Sequence, residues 1–170
     1  TDIGKMKEKD LSAFRLTEVG FILQTSNLIP YLTMLDQLLL VRKMKGKVTA
    51  EDTEFAKILL TDLGLGDKLK KFPNELSGGE RQRVGVARAF ITKPKIIVAD
   101  EPTSMLDTSL RLELIQLLKS MNEQFGISYV FVTHDIALTK NFCDRIIVLH
   151  EGEIVDEGPT EQVINEPTHP

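Results

Sequence analysis

Ile96-Ile97-Val98-Ala99-Asp100-Glu101-Pro102-Thr103 is the stretch that decides how this chain folds. A short unbroken apolar run closed by two acids reads as a strand buried on both faces, the place strands hold in a parallel sheet flanked by helices. Downstream, Leu110, Leu114, Leu117, Leu118, Met121 and Phe125 form one stripe, which predicts a helix over Thr108–Phe125 closed by Gly126. A strand over Tyr129–Thr133, a short helix near Ile136–Phe142 and a strand over Arg145–His150 follow. Glu151-Gly152 then turns the chain into Glu153-Ile154-Val155 as a hairpin, and a last helix spans about Thr160–Asn165 before a Pro-containing end that runs to His169-Pro170.

Upstream, Val19-Gly20-Phe21-Ile22-Leu23 reads as a strand within Thr17–Gln24 that ends in polar Gln24. From Pro30 to about Thr92 the pattern turns helical. Thr33–Arg42 carries a dense apolar face, and Ala50–Leu63 puts Phe55, Ile58, Leu59 and Asp62/Leu63 at helical spacing, with Thr49 as N-cap and Gly64 as stop. Glu80–Thr92 reads as a further helix with Val84, Ala87, Phe90 and Ile91 on one side. Strands alternating with helices imply an α/β fold with a parallel sheet and crossover helices. Ligands of such sheets sit beyond the carboxyl ends of the strands, where Gln24, the Asp100-Glu101 pair and His134 all fall.

At 170 residues, 42% hydrophobic and 27% charged, the chain suits one main core, with at most a small appended lobe. A net charge of -4 argues against a general nucleic-acid binder, which presents a basic face. Cys143, the single cysteine, has no partner for an intrachain disulfide and reads as a small buried apolar residue. No apolar run approaches the ~20 residues that cross a bilayer. Thr1-Asp2-Ile3-Gly4-Lys5 shows no signal-peptide pattern and no initiator Met, and it opens as though the chain continued upstream.

Two constellations carry chemistry. Two carboxylates ending a buried strand are costly unless a cation, water or donors meet them. An acid so placed can hold Mg²⁺, and the next acid can polarise an attacking water; the plain alternative is a strand end that meets solvent. Leu76-Ser77-Gly78-Gly79-Glu80-Arg81-Gln82 opens a helix. Its glycines let backbone amides approach an anion, and the helix N-terminus adds partial positive charge. Ser77 can cap the helix or donate its hydroxyl to a phosphate oxygen. The alternative is a Gly-Gly turn with a capping Ser and Glu80 in the first turn.

The full string LSGGERQ resembles the signature motif of the ATP-binding cassette (ABC) ATPase family. Asp100, 23 residues after Ser77, falls where that family has its Walker B aspartate. Glu101-Pro102-Thr103 resembles the catalytic glutamate and following turn, and Ser104-Met105-Leu106-Asp107 resembles the D-loop, with Met where Ala is more usual. Val132-Thr133-His134-Asp135 resembles the switch-histidine motif and Phe21-Ile22-Leu23-Gln24 the Q-loop. The resemblance implies a P-loop nucleotide hydrolase (RecA-like) core over residues 1–29 and 93–170, with a helical subdomain inserted over 30–92.

It also implies roles. Asp100 helps hold Mg²⁺. Gln24 approaches the metal or the attacking water and senses a membrane partner, Glu101 acts as general base, and His134 contacts the γ-phosphate. Ser77, Gly78 and Gly79, with Glu80 in the same string, serve ATP held by the opposite subunit, and Asp107 links the two sites of a dimer. The expected partners are a second nucleotide-binding subunit and permease subunits docking on the groove from Gln24 through the helical lobe. The expected location is peripheral, on the cytoplasmic face of a membrane.

A complete cassette needs G-x-x-x-x-G-K-[ST] to cradle the phosphates. Gly4-Lys5 and Gly46-Lys47 lack its first glycine and its Ser/Thr. Thr1-Asp2-Ile3 reads as the end of an antiparallel segment that follows the P-loop helix, so the chain reads as a fragment or truncated product whose first strands are missing. By itself it is expected to bind little ATP, to hydrolyse almost none and to carry exposed sheet edges. Asp10-Leu11-Ser12-Ala13-Phe14-Arg15 and Asn27-Leu28-Ile29-Pro30-Tyr31-Leu32-Thr33 resemble lipoprotein-release and macrolide-export cassettes. The tail from Glu151 to Pro170 resembles oligopeptide and dipeptide importers. Two other readings stay open: a truncated cassette acting as an interaction module, and a soluble ABC ATPase acting on DNA or the ribosome. Against the latter, Leu76 follows Gln24 after an unremarkable 52 residues.

Overall fold

The computed structural model describes residues 3–168. In chain order the elements are α1 (Glu8–Glu18), β1 (Val19–Ile22), α2 (Met34–Lys45), α3 (Ala50–Asp62), α4 (Gly78–Phe90), β2 (Ile96–Asp100), α5 (Thr108–Phe125), β3 (Ser128–Val132), α6 (Ile136–Phe142), β4 (Arg145–His150), β5 (Glu153–Pro159) and α7 (Thr160–Asn165). Residues up to Val132 form one compact unit and those from Thr133 a second.

In the first unit β1, β2 and β3 make a parallel sheet with β2 in the middle, as the buried run predicts. Registers of Gly20↔Ile97↔Tyr129 and Ile22↔Ala99↔Phe131 put these residues on one face. Helices α4 and α5 cover it: Phe90 packs against Phe125 and Tyr129, and the Tyr129 hydroxyl donates to the Leu118 carbonyl. The approach is close at Gly20, where a Cβ would stand 2.6 Å from the Ala89 carbonyl oxygen, so only glycine fits this strand position.

The opposite face departs from the two-sided burial expected of β2. Ile97 and Ala99 are buried, but Ile96 and Val98 are half-buried, and Phe21, Val130 and Val132 are 46%, 53% and 49% exposed. Within the first unit α4 and α5 pack on the other side, and this apolar face stays open.

Helices α2, α3 and α4 pack on one another around Met34, Leu38, Leu59, Leu60 and Val84. The starts of α2 and α3 follow the sequence reading: Thr33 accepts from the Asp36 amide, and Thr49 forms a full capping box with Asp52. Gly64 ends the segment with φ 71°. Gln37, 1% exposed, accepts from the Ile29 amide and donates to the Ile29 and Leu32 carbonyls, which fixes the loop ahead of α2. Gln37→Leu strands these backbone groups, and a loss of about 2 kcal/mol or more is expected. Urea unfolding checks it; an unchanged midpoint would count against the clamp.

Helix α1 is where the sequence reading departs most. It buries no residue and so shows no stripe to recognise, and it takes in Thr17, whose hydroxyl bonds back to the Ala13 carbonyl; the strand therefore starts at Val19. Ile3 lies in a 3₁₀ turn over Ile3–Lys5 and not in an antiparallel strand, while Thr1 and Asp2 lie outside the described residues.

In the second unit β4 and β5 form the expected hairpin, with positive φ at both Glu151 (51°) and Gly152 (85°), as a type I′ turn requires. Strand β5 runs on to Pro159. The Thr160 amide and hydroxyl donate to the Asp144 and Cys143 carbonyls, tying the start of α7 to the entry of β4. Cys143 is half-buried, and burial pushes its thiol up. His169 and Pro170 lie outside the described residues. Among those residues no helix is long and apolar enough to cross a membrane.

Candidate functional site

The last ladder pair of β1 with β2 is Ile22↔Ala99, and Gln24 and Glu101 each lie two residues beyond it. Asp100 pairs with Val132, and the Glu101 amide donates to the Val132 carbonyl at 2.9 Å. The central strand therefore carries its acidic pair to the carboxyl edge of the sheet, with Asp100 and Gln24 exposed and Glu101 half-buried. Glu101 has φ 45°, a left-handed conformation that costs a non-glycine residue about 1 kcal/mol or more. The turn over-determines it: the Ser104 amide and hydroxyl both donate to the Glu101 carbonyl, at 3.2 and 2.9 Å.

The start of α4 is a capping box. Ser77 Oγ accepts from the Glu80 amide at 3.2 Å, and the Glu80 carboxylate accepts from the Ser77 amide at 2.8 Å. Glu80 also pairs with Lys68; that contact first, and the Ser77 amide second, hold its carboxyl down at about 2. The Glu80 carboxylate is thus engaged in the turn itself. The Ser77 hydroxyl accepts within the cap and keeps its own proton to donate outward.

The two glycines stand in different surroundings. A Cβ on Gly79 would lie 3.0 Å from Leu110 Cδ1, so this residue lets α4 and α5 meet. A Cβ on Gly78 would meet nothing closer than Arg81 Nη2 at 4.0 Å. Gly78 therefore leaves open a first turn in which the cap takes the Glu80 amide and the amides ahead of it have no backbone acceptor within the helix, a suitable seat for an anion. Asp107 caps α5, accepting from the Leu110 amide at 3.0 Å and the Ser109 hydroxyl at 2.8 Å; these donors, the Leu110 amide foremost, keep its carboxyl below the usual range.

One helix joins these parts. Gln82 of α4 donates from Nε2 to the Leu23 carbonyl at 3.1 Å and to the Pro102 carbonyl at 3.0 Å. Arg88 donates to the Ser26 and Asn27 carbonyls at 2.6 and 3.0 Å. The sequence reading assigns neither side chain a role. A signal existed for Gln82, a polar residue between buried Gly79 and Val86 on the packed face of α4.

The structure brings Gln24, Asp100 and Glu101 to one sheet edge and joins them to the helix headed by Ser77. His134 belongs to the second unit, where it is exposed and precedes Asp135, the N-cap of α6. Gln24, Asp100 and Glu101 offer oxygen donors, which suit a hard cation such as Mg²⁺. Among the described residues no cluster of three or more His, Cys, Asp or Glu stands together.

The profile of the ABC transporter family matches residues 2–104. The lipoprotein-releasing system ATP-binding protein LolD of Bacteroides fragilis is 43% identical over 155 residues, 91% of this chain and 71% of LolD. The methionine import ATP-binding protein MetN 3 of Oceanobacillus iheyensis is 35% identical over 169 residues, which cover 99% of this chain and 49% of MetN 3. The chain therefore spans about half the length of that relative. Among solved structures, a dimeric ATP-binding cassette in a post-hydrolysis state with ADP and Pi superposes with a TM-score of 0.77 at 39% identity, over 92% of this chain and 68% of that one.

Proposed function

This chain belongs to the ABC transporter family, and from that membership we propose that it is the larger part of an ATP-binding subunit whose nucleotide lies between two such subunits. The observation that carries the reading is the joining, through Gln82, of an acidic sheet edge to a helix start left open at Gly78. Bound Mg²⁺ supplies charge neutralisation at the phosphate oxygens. Asp100 and the Gln24 amide oxygen would hold it, and Glu101 would take the proton of the attacking water. His134 donates to the γ-phosphate. The Ser77 hydroxyl and the Gly78 and Gly79 amides serve the ATP of the opposite subunit, with Glu80 shaping their turn and Asp107 touching across the pair. The similar cassette described as a dimer with ADP and Pi supports this arrangement.

We assign residues 30–92 to the helical subdomain and residues 1–29 and 93–170 to the core, in keeping with the mutual packing of α2, α3 and α4. The cradle for the other phosphates is assigned to a P-loop outside these residues, whose helix would cover the open face at Phe21, Val130 and Val132. This stretch alone then has little affinity for ATP. Permease subunits supply the membrane path and dock on the groove beside Gln24, which places the cassette on the inner face of the membrane. The names of the similar LolD and MetN 3 proteins, lipoprotein release and methionine import, support coupling to transport.

The test is a structure of the full-length protein with Mg²⁺ and a nonhydrolysable ATP analogue. The γ-phosphate is expected within hydrogen-bond reach of Ser77 and Gly78 of one subunit and beside Asp100 and Glu101 of the other. A nucleotide remote from both would overturn the reading.

A further inference from the structure

We propose that Gln82 is a positioning residue that sets Gln24 and Glu101 against each other, acting through the backbone on either side of the reacting groups. The inference rests on the ATPase reading above. Leu23, whose carbonyl accepts from Gln82, immediately precedes Gln24; Pro102, the other acceptor, immediately follows Glu101. Both partners are carbonyl oxygens, so only the amide nitrogen of Gln82 can serve them, and its two protons are both used. The side chain is 5% exposed, which keeps water from substituting for it. Beyond the ladder pair Ile22↔Ala99, this staple links the two loops to one another.

Its placement has a mechanical consequence. Gln82 sits on the helix that Ser77 caps, so the turn facing the opposite subunit's nucleotide and the loops of its own acidic edge are carried by one rigid body. Any displacement of α4 pulls Leu23 and Pro102 together with it. The loop has separate anchors further on, since Arg88 holds Ser26 and Asn27 and Gly85 packs against Ser26. Removing Gln82 therefore releases the geometry of Gln24 and Glu101 without detaching the loop. A shift of about 1 Å at a reacting group can cost on the order of 10²-fold in rate.

The experiment uses the full-length protein in complex with its permease and compares wild type, Gln82→Leu and Gln82→Glu, each also combined with Glu101→Gln. Gln82→Leu is expected to lower kcat about tenfold or more and leave KM for ATP within about twofold. In the Glu101→Gln background the same change is expected to lower the residual rate by less than about twofold, because the group being positioned is already disabled. Gln82→Glu, isosteric but with at most one proton for two carbonyl acceptors, breaks the staple, gives the same pattern and serves if the leucine variant does not fold. Wild-type kcat in Gln82→Glu or Gln82→Leu, a loss confined to KM, or a full loss on top of Glu101→Gln overturns the proposal. If wild type itself hydrolyses no ATP, the ATPase reading falls and takes this proposal with it. If wild type turns over and Glu101→Gln does not, a normal Gln82 variant sinks the positioning role alone.

Discussion

Glu101→Gln in the full-length protein is expected to lower ATP turnover by about 10²–10⁴-fold and leave ATP-dependent pairing of the subunits in place. The substitution keeps volume and hydrogen-bonding reach and removes the negative charge, and with it the capacity to take a proton. The turn holds the residue through its own backbone atoms. Its amide donates to the Val132 carbonyl, and its carbonyl accepts from Ser104. The φ of 45° is thus imposed by groups that the change leaves alone, and a glutamine side chain is carried to the same place. Loss of turnover then reports chemistry and not refolding of the turn. Phosphate release measures the rate, and sedimentation with and without ATP measures pairing. Turnover at the wild-type rate would remove Glu101 from the role of base, and loss of pairing would make it a binding residue.

Much of the scaffold behind this site is legible along the chain, because local chemistry sets it. Thr49 with Asp52, Gly64, Gly126 and the Glu151-Gly152 turn each act within a few residues of themselves, and the elements they bound fall where periodicity puts them. Helix α5 keeps the bounds Thr108–Phe125, its stripe being long and regular. What escapes the sequence depends on partners far away. Gln82, Arg88 and Gln37 satisfy backbone carbonyls of other segments, and a carbonyl leaves no trace in residue identity. The open sheet face escapes for a related reason: Ile96-Ile97-Val98-Ala99 is apolar on both sides, but what covers each side is a matter of tertiary packing. Glu80 is a mixed case. It lies in the string that the resemblance reads as nucleotide-facing, yet its carboxylate closes the cap with Ser77 and pairs with Lys68, so what it shapes is the turn.

Ser77→Arg is expected to stop turnover, by about 10²-fold or more, through bulk and charge at the seat of the opposite subunit's phosphate. Two effects have to be separated. Ser77 is the N-cap of α4, and any residue that cannot accept from the Glu80 amide costs about 1 kcal/mol of stability. A cation at the positive end of the helix dipole adds about 0.3–1 kcal/mol to that loss. Ser77→Ala shares the first cost and adds neither bulk nor charge. Its turnover is expected to stay within about tenfold of wild type, since it forfeits one hydroxyl contact. The glycines constrain the same comparison. A side chain over Gly79 would crowd Leu110, whereas the space over Gly78 is open and has room for the arginine. Phosphate release from the full-length complex, read beside each variant's melting temperature, decides the matter. If the arginine variant turns over at the wild-type rate, no phosphate rests on this helix. If alanine and arginine fall equally, the cap alone is responsible.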